Sequence, residues 1–164
     1  MLKRTLTLLA LLATVLSAQS PEPPALRPGD GFVLKYHFLA VGKQIYQCES
    51  GQWAKNSTPD ATLYDLNSNL KIRHGAGPSW TTIDGKSTMK AIGSTAIHFA
   101  APDQVSIDWL KLDADKSSRT GVFSDVAIVQ RLYTGGGKAP TTGCVEHQTY
   151  ESPYTAHYYF WISK

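Results

Sequence analysis

The stretch Tyr154-Thr155-Ala156-His157-Tyr158-Tyr159-Phe160-Trp161 decides how the chain is read. As a strand it alternates between two faces, with Ala156, Tyr158 and Phe160 on one and His157, Tyr159 and Trp161 on the other. Its aromatic residues form either a core strand with one partly exposed face or a contact surface for a carotenoid, a carbohydrate or a partner, because aromatic rings offer large rigid areas. Working outward, Phe32 to Leu39 alternates in the same way; Gly42 breaks it, and Lys43 to Cys48 resumes. Ala61 to Leu66 and Leu70 to Arg73 flank Asn67-Ser68-Asn69, and Ser79 to Ile83 and Ser87 to Ile92 flank Asp84-Gly85-Lys86. Both are hairpin signals, since Asn and Gly tolerate the positive φ of tight turns. Ala96 to Ala100, Val105 to Leu112 and Val122 to Tyr133 complete the strands. Val122 to Gln130 also fits a short helix, but its β-branched residues favour strand. No window of a dozen residues holds a clean 3.6-residue period. The pattern predicts an all-β domain, mostly antiparallel, built as a β-sandwich or barrel.

At 164 residues and 17.9 kDa the chain suits one well-buried domain. With 42% hydrophobic and 18% charged residues it is neither intrinsically disordered nor a bundle of polar amphipathic helices. Lys3 and Arg4 precede the apolar run Leu6 to Leu16, and Ser17, Ala18 and Gln19 follow, the layout of a signal peptide over residues 1–18. The other reading of this segment is a short anchor that stays attached, although the apolar run falls short of the ~20 residues a bilayer span needs. Export places the protein in the periplasm, the cell envelope or outside the cell, with no membrane span in the mature chain. Removing Lys3 and Arg4 leaves 14 basic against 13 acidic side chains, too little charge for nucleic acid. Residues 19–31 hold Pro21, Pro23, Pro24 and Pro28 and read as an extended, poorly packed linker to a single domain over 32–164.

Cys48 and Cys144 are the only cysteines. In an oxidising compartment the pair reads as one long-range disulfide tying an early strand to a late one. Two metal thiolates would need neighbours at C-x-x-C spacing, and there are none.

Several words recur in order along the chain. They are Gln44-Ile45-Tyr46-x-Cys48, Trp53, Pro59-Asp60-Ala61-Thr62-Leu63, His74-Gly75-Ala76-Gly77-Pro78-Ser79-Trp80 and Asp84-Gly85-Lys86-Ser87. Further on come Ile107-Asp108-Trp109-Leu110, Gln130-Arg131-Leu132-x-Thr134-Gly135-Gly136 with Ala139-Pro140 and Cys144, and Pro153-Tyr154-Thr155-Ala156-x-Tyr158-Tyr159-Phe160. Over roughly residues 32 to 162 the chain resembles a family of exported bacterial and fungal proteins catalogued as a domain of unknown function. Some fungal members of that family are labelled malate dehydrogenase-like. The resemblance implies one compact β-rich domain. It does not imply dehydrogenase chemistry, because no G-x-G-x-x-G lies between a strand and a helix. Where the family pattern carries an acidic residue between Ala156 and Tyr158, this chain has His157.

Other motifs carry little. Thr134-Gly135-Gly136-Gly137-Lys138 has the wrong spacing for a phosphate-binding loop, and Asp113-Ala114-Asp115 lacks the distal ligands of a calcium loop. Asn56-Ser57-Thr58 is a glycosylation pattern or simply an exposed turn. The remaining resource is histidine: His37, His98 and His157 in strand-like stretches, His74 at the end of one, and His147. Imidazoles without thiolates suit copper or zinc, and copper(II) binds nitrogen ligands most tightly of the divalent series. Convergence of His37, His74, His98 and His157 would make a copper centre, similar in plan to copper-only superoxide dismutases, acting in oxidative defence at the envelope. Arg131 is the candidate cation that draws in the small anionic substrate; its plainer role is an ion pair or a carbonyl clamp. The opposing reading is a non-catalytic envelope or surface-assembly module that binds a ligand or an envelope protein through its aromatic C-terminal strand.

Overall fold

The computed structural model describes residues 21–164. The segment expected to be a signal peptide lies outside them. Ten strands follow in chain order: β1 (Phe32–Glu49), β2 (Gln52–Trp53), β3 (Thr58–Asp65), β4 (Lys71–Gly75), β5 (Ser79–Thr82), β6 (Thr88–Lys90), β7 (Ile97–Phe99), β8 (Trp109–Asp113), β9 (Val126–Gly136) and β10 (Thr149–Ser163). All pair antiparallel in the order β6-β5-β4-β3-β1-β10-β9-β8-β7, with β2 turned back on β1. The long ladder between β1 and β10, from Phe32↔Ser163 to Gln47↔Thr149, joins the two ends of the chain at the centre of the sheet.

The sheet is all-β as expected, and of the two architectures left open it is a single curled sheet, a half-barrel. Ala91, just past β6, bridges Ala114, just past β8. Ile92 N–H donates to the Asp113 carbonyl at 2.9 Å, so opposite flanks of the sheet meet at one end. The free edge of β6 is covered by the loop before β9: Thr88 N–H donates to Thr120 Oγ1 and Lys90 N–H to Ser118 Oγ. Covering an edge in this way removes a template for intermolecular pairing.

Alternation sorts the side chains. Phe38, Ala40, Leu63, Ile72, Trp80, Tyr158 and Phe160 point inward and form the main core. Both hairpins form at the expected turns, with β3 paired to β4 and β5 to β6. The strand expected from Val122 begins at Val126, after a single turn of 3-10 helix at Gly121–Phe123, and no α-helix forms over Val122 to Gln130. Cys48 and Cys144 are disulfide-bonded, with their Cα atoms 5.9 Å apart.

Two local expectations are corrected. Gly42 does not interrupt β1, which runs through it. Its lack of a side chain serves close approach instead: a Cβ there would lie 2.3 Å from the Asp60 carbonyl oxygen and 2.5 Å from the Ala61 Cα. The Pro-rich stretch is not loosely packed throughout. Pro24–Leu26 forms one turn of 3-10 helix, and Leu26 is fully buried against Ala101, Trp109 and Leu132 on the outer face of the sheet. Buried Gln130 fixes this turn, donating from Nε2 to the Leu26 carbonyl and to Glu22 Oε1, and accepting from Trp161 Nε1 on its own oxygen.

Candidate functional site

Where the curled sheet does not close, its interior holds a cavity of about 630 Å³ that reaches solvent beside the exposed Lys55, Asn56 and Lys138. Strand register builds its wall. His98, Leu110, Arg131 and Tyr158 stand opposite one another in a row across β7, β8, β9 and β10, so all four share the inner face. A second row sets Trp80 against His74 across β5 and β4. Gln44 enters from β1, two positions beyond Gly42 on the same face.

The cavity is rich in hydrogen-bond donors. Arg131 uses Nε and Nη2 on the backbone carbonyl of Asp108, at 3.1 and 2.8 Å, and none of the ion pairs among the described residues includes it. Trp80, 1% exposed, has no partner for its indole Nε1–H. Gln44, 2% exposed, accepts from Ser57 Oγ on its amide oxygen, while Nε2 has no hydrogen-bond partner. That amide lies close enough to the Tyr154 hydroxyl to favour its ionised form, but not in the geometry of an ordinary hydrogen bond. Buried polar groups normally find partners; among the described residues Trp53 Nε1, Trp109 Nε1 and Arg119 Nε also lack one, but only Trp80 and Gln44 belong to the residues that line this cavity.

Charge has the same sign. Arg131, Lys55 and Lys138 line the cavity against a single carboxylate, Asp108, which itself stands 3.4 Å from His98 Nδ1. His74 lies parallel to the Trp80 indole at 4.6 Å, and its Nδ1–H donates to the Ser79 carbonyl. Burial, with a smaller contribution from the nearby Arg131 charge, takes its pKa down to about 4, so at neutral pH the ring is uncharged. Burial also raises the pKa of Tyr46, whose hydroxyl donates to the Gly137 carbonyl, and that of Tyr154. Ile107, Leu110 and Leu112 give the wall an apolar side.

The histidines expected to converge are divided between the faces of the sheet. His37 and His157 point outward and meet, with Nε2 and Nδ1 2.8 Å apart. Tyr159 stacks on His37 at 4.2 Å, and burial holds both imidazoles below the ordinary histidine pKa. His74 and His98 line the cavity on the inner face. His147 sits exposed on the loop after Cys144. Among the described residues, no three His, Cys, Asp or Glu side chains are grouped so as to hold a metal ion. Arg131 clamps the Asp108 carbonyl and also faces the cavity.

Gln44, Trp80 and Tyr158 were not singled out by the sequence as one site. A signal was present for Gln44: an amide at an inward position of a strand must find a partner or serve one. For the rest only the register brings them together.

The chain belongs to the family described as protein of unknown function, DUF3455, whose model matches residues 28–162 and so takes in every residue that lines the cavity. No curated protein and no solved structure matches it. Membership brings no activity with it.

Proposed function

We propose that this family member is an exported, non-catalytic binding module that admits a small organic ligand into the interior of its curled sheet. The observation that carries the reading is a pair of buried donors without partners, Trp80 Nε1 and Gln44 Nε2, on two residues that line one cavity. Leaving a buried donor unpaired costs about 1–3 kcal/mol, which an acceptor on a ligand recovers. The volume falls in the ~300–1,000 Å³ range of small-molecule sites, and the lining combines an apolar wall with a few polar groups. Tyr158 carries the aromatic C-terminal strand into this site. Export is supported by the leader-like N-terminus and by the Cys48–Cys144 disulfide. Among the described residues, no helix is long and apolar enough to cross a membrane.

The test is a small-molecule screen by thermal unfolding on the wild type and on Ala96→Phe, which places a ring on the cavity wall. The expected result is a set of compounds that stabilise the wild type and leave the variant unmoved. Compounds that stabilise both equally, or none at all, contradict the reading.

A second reading, copper binding, is kept for His37 and His157 alone. His37 Nε2 and His157 Nδ1, on adjacent strands, share a hydrogen bond at 2.8 Å, and a shift of tautomer that frees both lone pairs would make them neighbouring ligands of one metal ion. Copper(II) titration is expected to show one site that His37→Gln or His157→Gln removes and His74→Gln does not. In this form the reading separates the metal from Arg131, which faces the other side of the sheet. Superoxide dismutation would then have to proceed without that cation, and assay of the copper-loaded protein decides it.

A further inference from the structure

We infer that the ligand is an organic anion, a carboxylate with an apolar body, whose oxygens accept from Arg131, Trp80 and Gln44 while its body lies against Ile107, Leu110 and Leu112. The inference rests on the cavity reading above and names its ligand class.

Three observations point the same way. First, the unpaired groups of the two cavity-lining residues, Trp80 Nε1 and Gln44 Nε2, are both donors, so their missing partner is an acceptor; a ligand amine would find no use for them. Second, the Arg131 guanidinium spends two of its N–H bonds on a neutral carbonyl and keeps others for the cavity, with no carboxylate among the described residues paired to it. A half-buried guanidinium is well suited to a carboxylate, which it can hold with two parallel bonds. Third, the one acidic side chain on the wall, Asp108, stands beside His98, while Lys55 and Lys138 at the solvent side add positive charge along the route in. His74 does not compete for the anion, because its Nδ1–H is committed to the Ser79 carbonyl. The apolar wall excludes a bare inorganic anion as the best fit, since such an ion would leave Ile107, Leu110 and Leu112 uncovered.

The experiment is calorimetric titration of the disulfide-intact protein with hexanoate, hexanamide and hexylammonium, compared across the wild type, Arg131→Gln, Trp80→Phe and Ala96→Phe. On the wild type, hexanoate is expected to bind at least about tenfold more tightly than hexanamide, with hexylammonium weakest, as a charge-assisted contact requires. Arg131→Gln is expected to remove about tenfold or more from hexanoate and to leave hexanamide within about twofold. Trp80→Phe keeps an aromatic ring beside His74 and removes the indole donor together with part of the buried ring, so it is expected to weaken hexanoate at some cost in stability; the wild-type ratio of hexanoate to hexanamide decides the matter should neither variant fold. Equal affinity for hexanoate and hexanamide, both lost in Ala96→Phe, overturns the anion class and leaves the cavity reading standing. Hexanoate binding that neither Ala96→Phe nor Trp80→Phe changes lies outside the cavity and overturns the inference. No binding by any of the three probes overturns it as well; the small-molecule screen then decides the cavity reading separately.

Discussion

The guanidinium of Arg131 grips the backbone carbonyl of Asp108 from two nitrogens, Nε at 3.1 Å and Nη2 at 2.8 Å. The grip ties the start of β8 to the middle of β9 and fixes the direction in which the remaining N–H groups face. Arg131→Met is expected to cost about 1.5–3 kcal/mol of stability, the value of hydrogen bonds from a charged group. Arg131→Lys recovers only part of it, because an ammonium lacks the planar fork. Urea unfolding of the three proteins measures both; a Lys variant as stable as the wild type would contradict the two-pronged geometry.

His74 predicts a pH dependence with a definite sign. Its folded-state pKa, about 4, lies below the ordinary value of 6.5. Between those values the unfolded chain takes up a proton that the folded chain refuses, so stability is full above the upper value and falls as the pH drops toward the lower one. The loss amounts to on the order of 3 kcal/mol by the bottom of that window. His37 and His157, also lowered by burial, add losses of the same sign. Asp84, Asp103, Asp115 and Asp125 are held low by hydrogen bonds and contribute only at more acidic pH. Denaturant midpoints measured from pH 7.5 to 4.5 are expected to fall less steeply for His74→Phe than for the wild type; parallel curves would show that the ring is not the source.

Gly42→Ala is expected to be among the most damaging small substitutions in the chain. The added methyl would meet the Asp60 carbonyl oxygen at 2.3 Å, so β1 and β3 would have to part. Overpacking of this kind costs about 1–3 kcal/mol, and the contact with backbone places this case at the upper end. A thermal midpoint equal to that of the wild type would contradict the close approach.

Leu26 anchors the N-terminal turn. Leu26→Ala is expected to cost about 2–5 kcal/mol, as for other fully buried leucines. It should also wet Trp109, moving tryptophan emission to longer wavelength. Unchanged emission and stability would mean that the turn does not dock in solution.

The double variant Cys48→Ala, Cys144→Ala tests the staple between β1 and the loop before β10. It closes a separation of 96 residues, and its removal is expected to cost about 2–5 kcal/mol. The β1–β10 ladder ends at Gln47↔Thr149, just short of Cys48, so the circular dichroism of the folded variant is expected to match the wild type.

The parts of the fold legible in the sequence are those fixed by local chemistry. Asn67-Ser68-Asn69 and Asp84-Gly85-Lys86 mark turns whose backbone needs are met within a few residues, and both hairpins form there. Gly42 misleads because glycine breaks strands in isolation; its use here, admitting Ala61, exists only once β3 lies beside it. The prolines of 19–31 suggest a free linker, but Leu26 finds a hydrophobic patch on the outer face that only the assembled sheet presents. The site was harder still. Counting histidines ignores the faces of the sheet, and alternation within β1 and β10 sends His37 and His157 outward while His74 and His98 face in. Arg131 and Tyr158 become neighbours through a register that no spacing along the chain encodes.

Anion binding in the cavity is read most directly from the indole N–H spectrum of the protein during titration with hexanoate. Trp53, Trp80, Trp109 and Trp161 give one signal each, and Trp80→Phe assigns the one that matters. The Trp80 signal is expected to move downfield to saturation as its unpaired donor gains an oxygen, while that of Trp161, already bonded to Gln130, stays in place. A saturating titration in which the Trp80 signal does not move would contradict anion binding there.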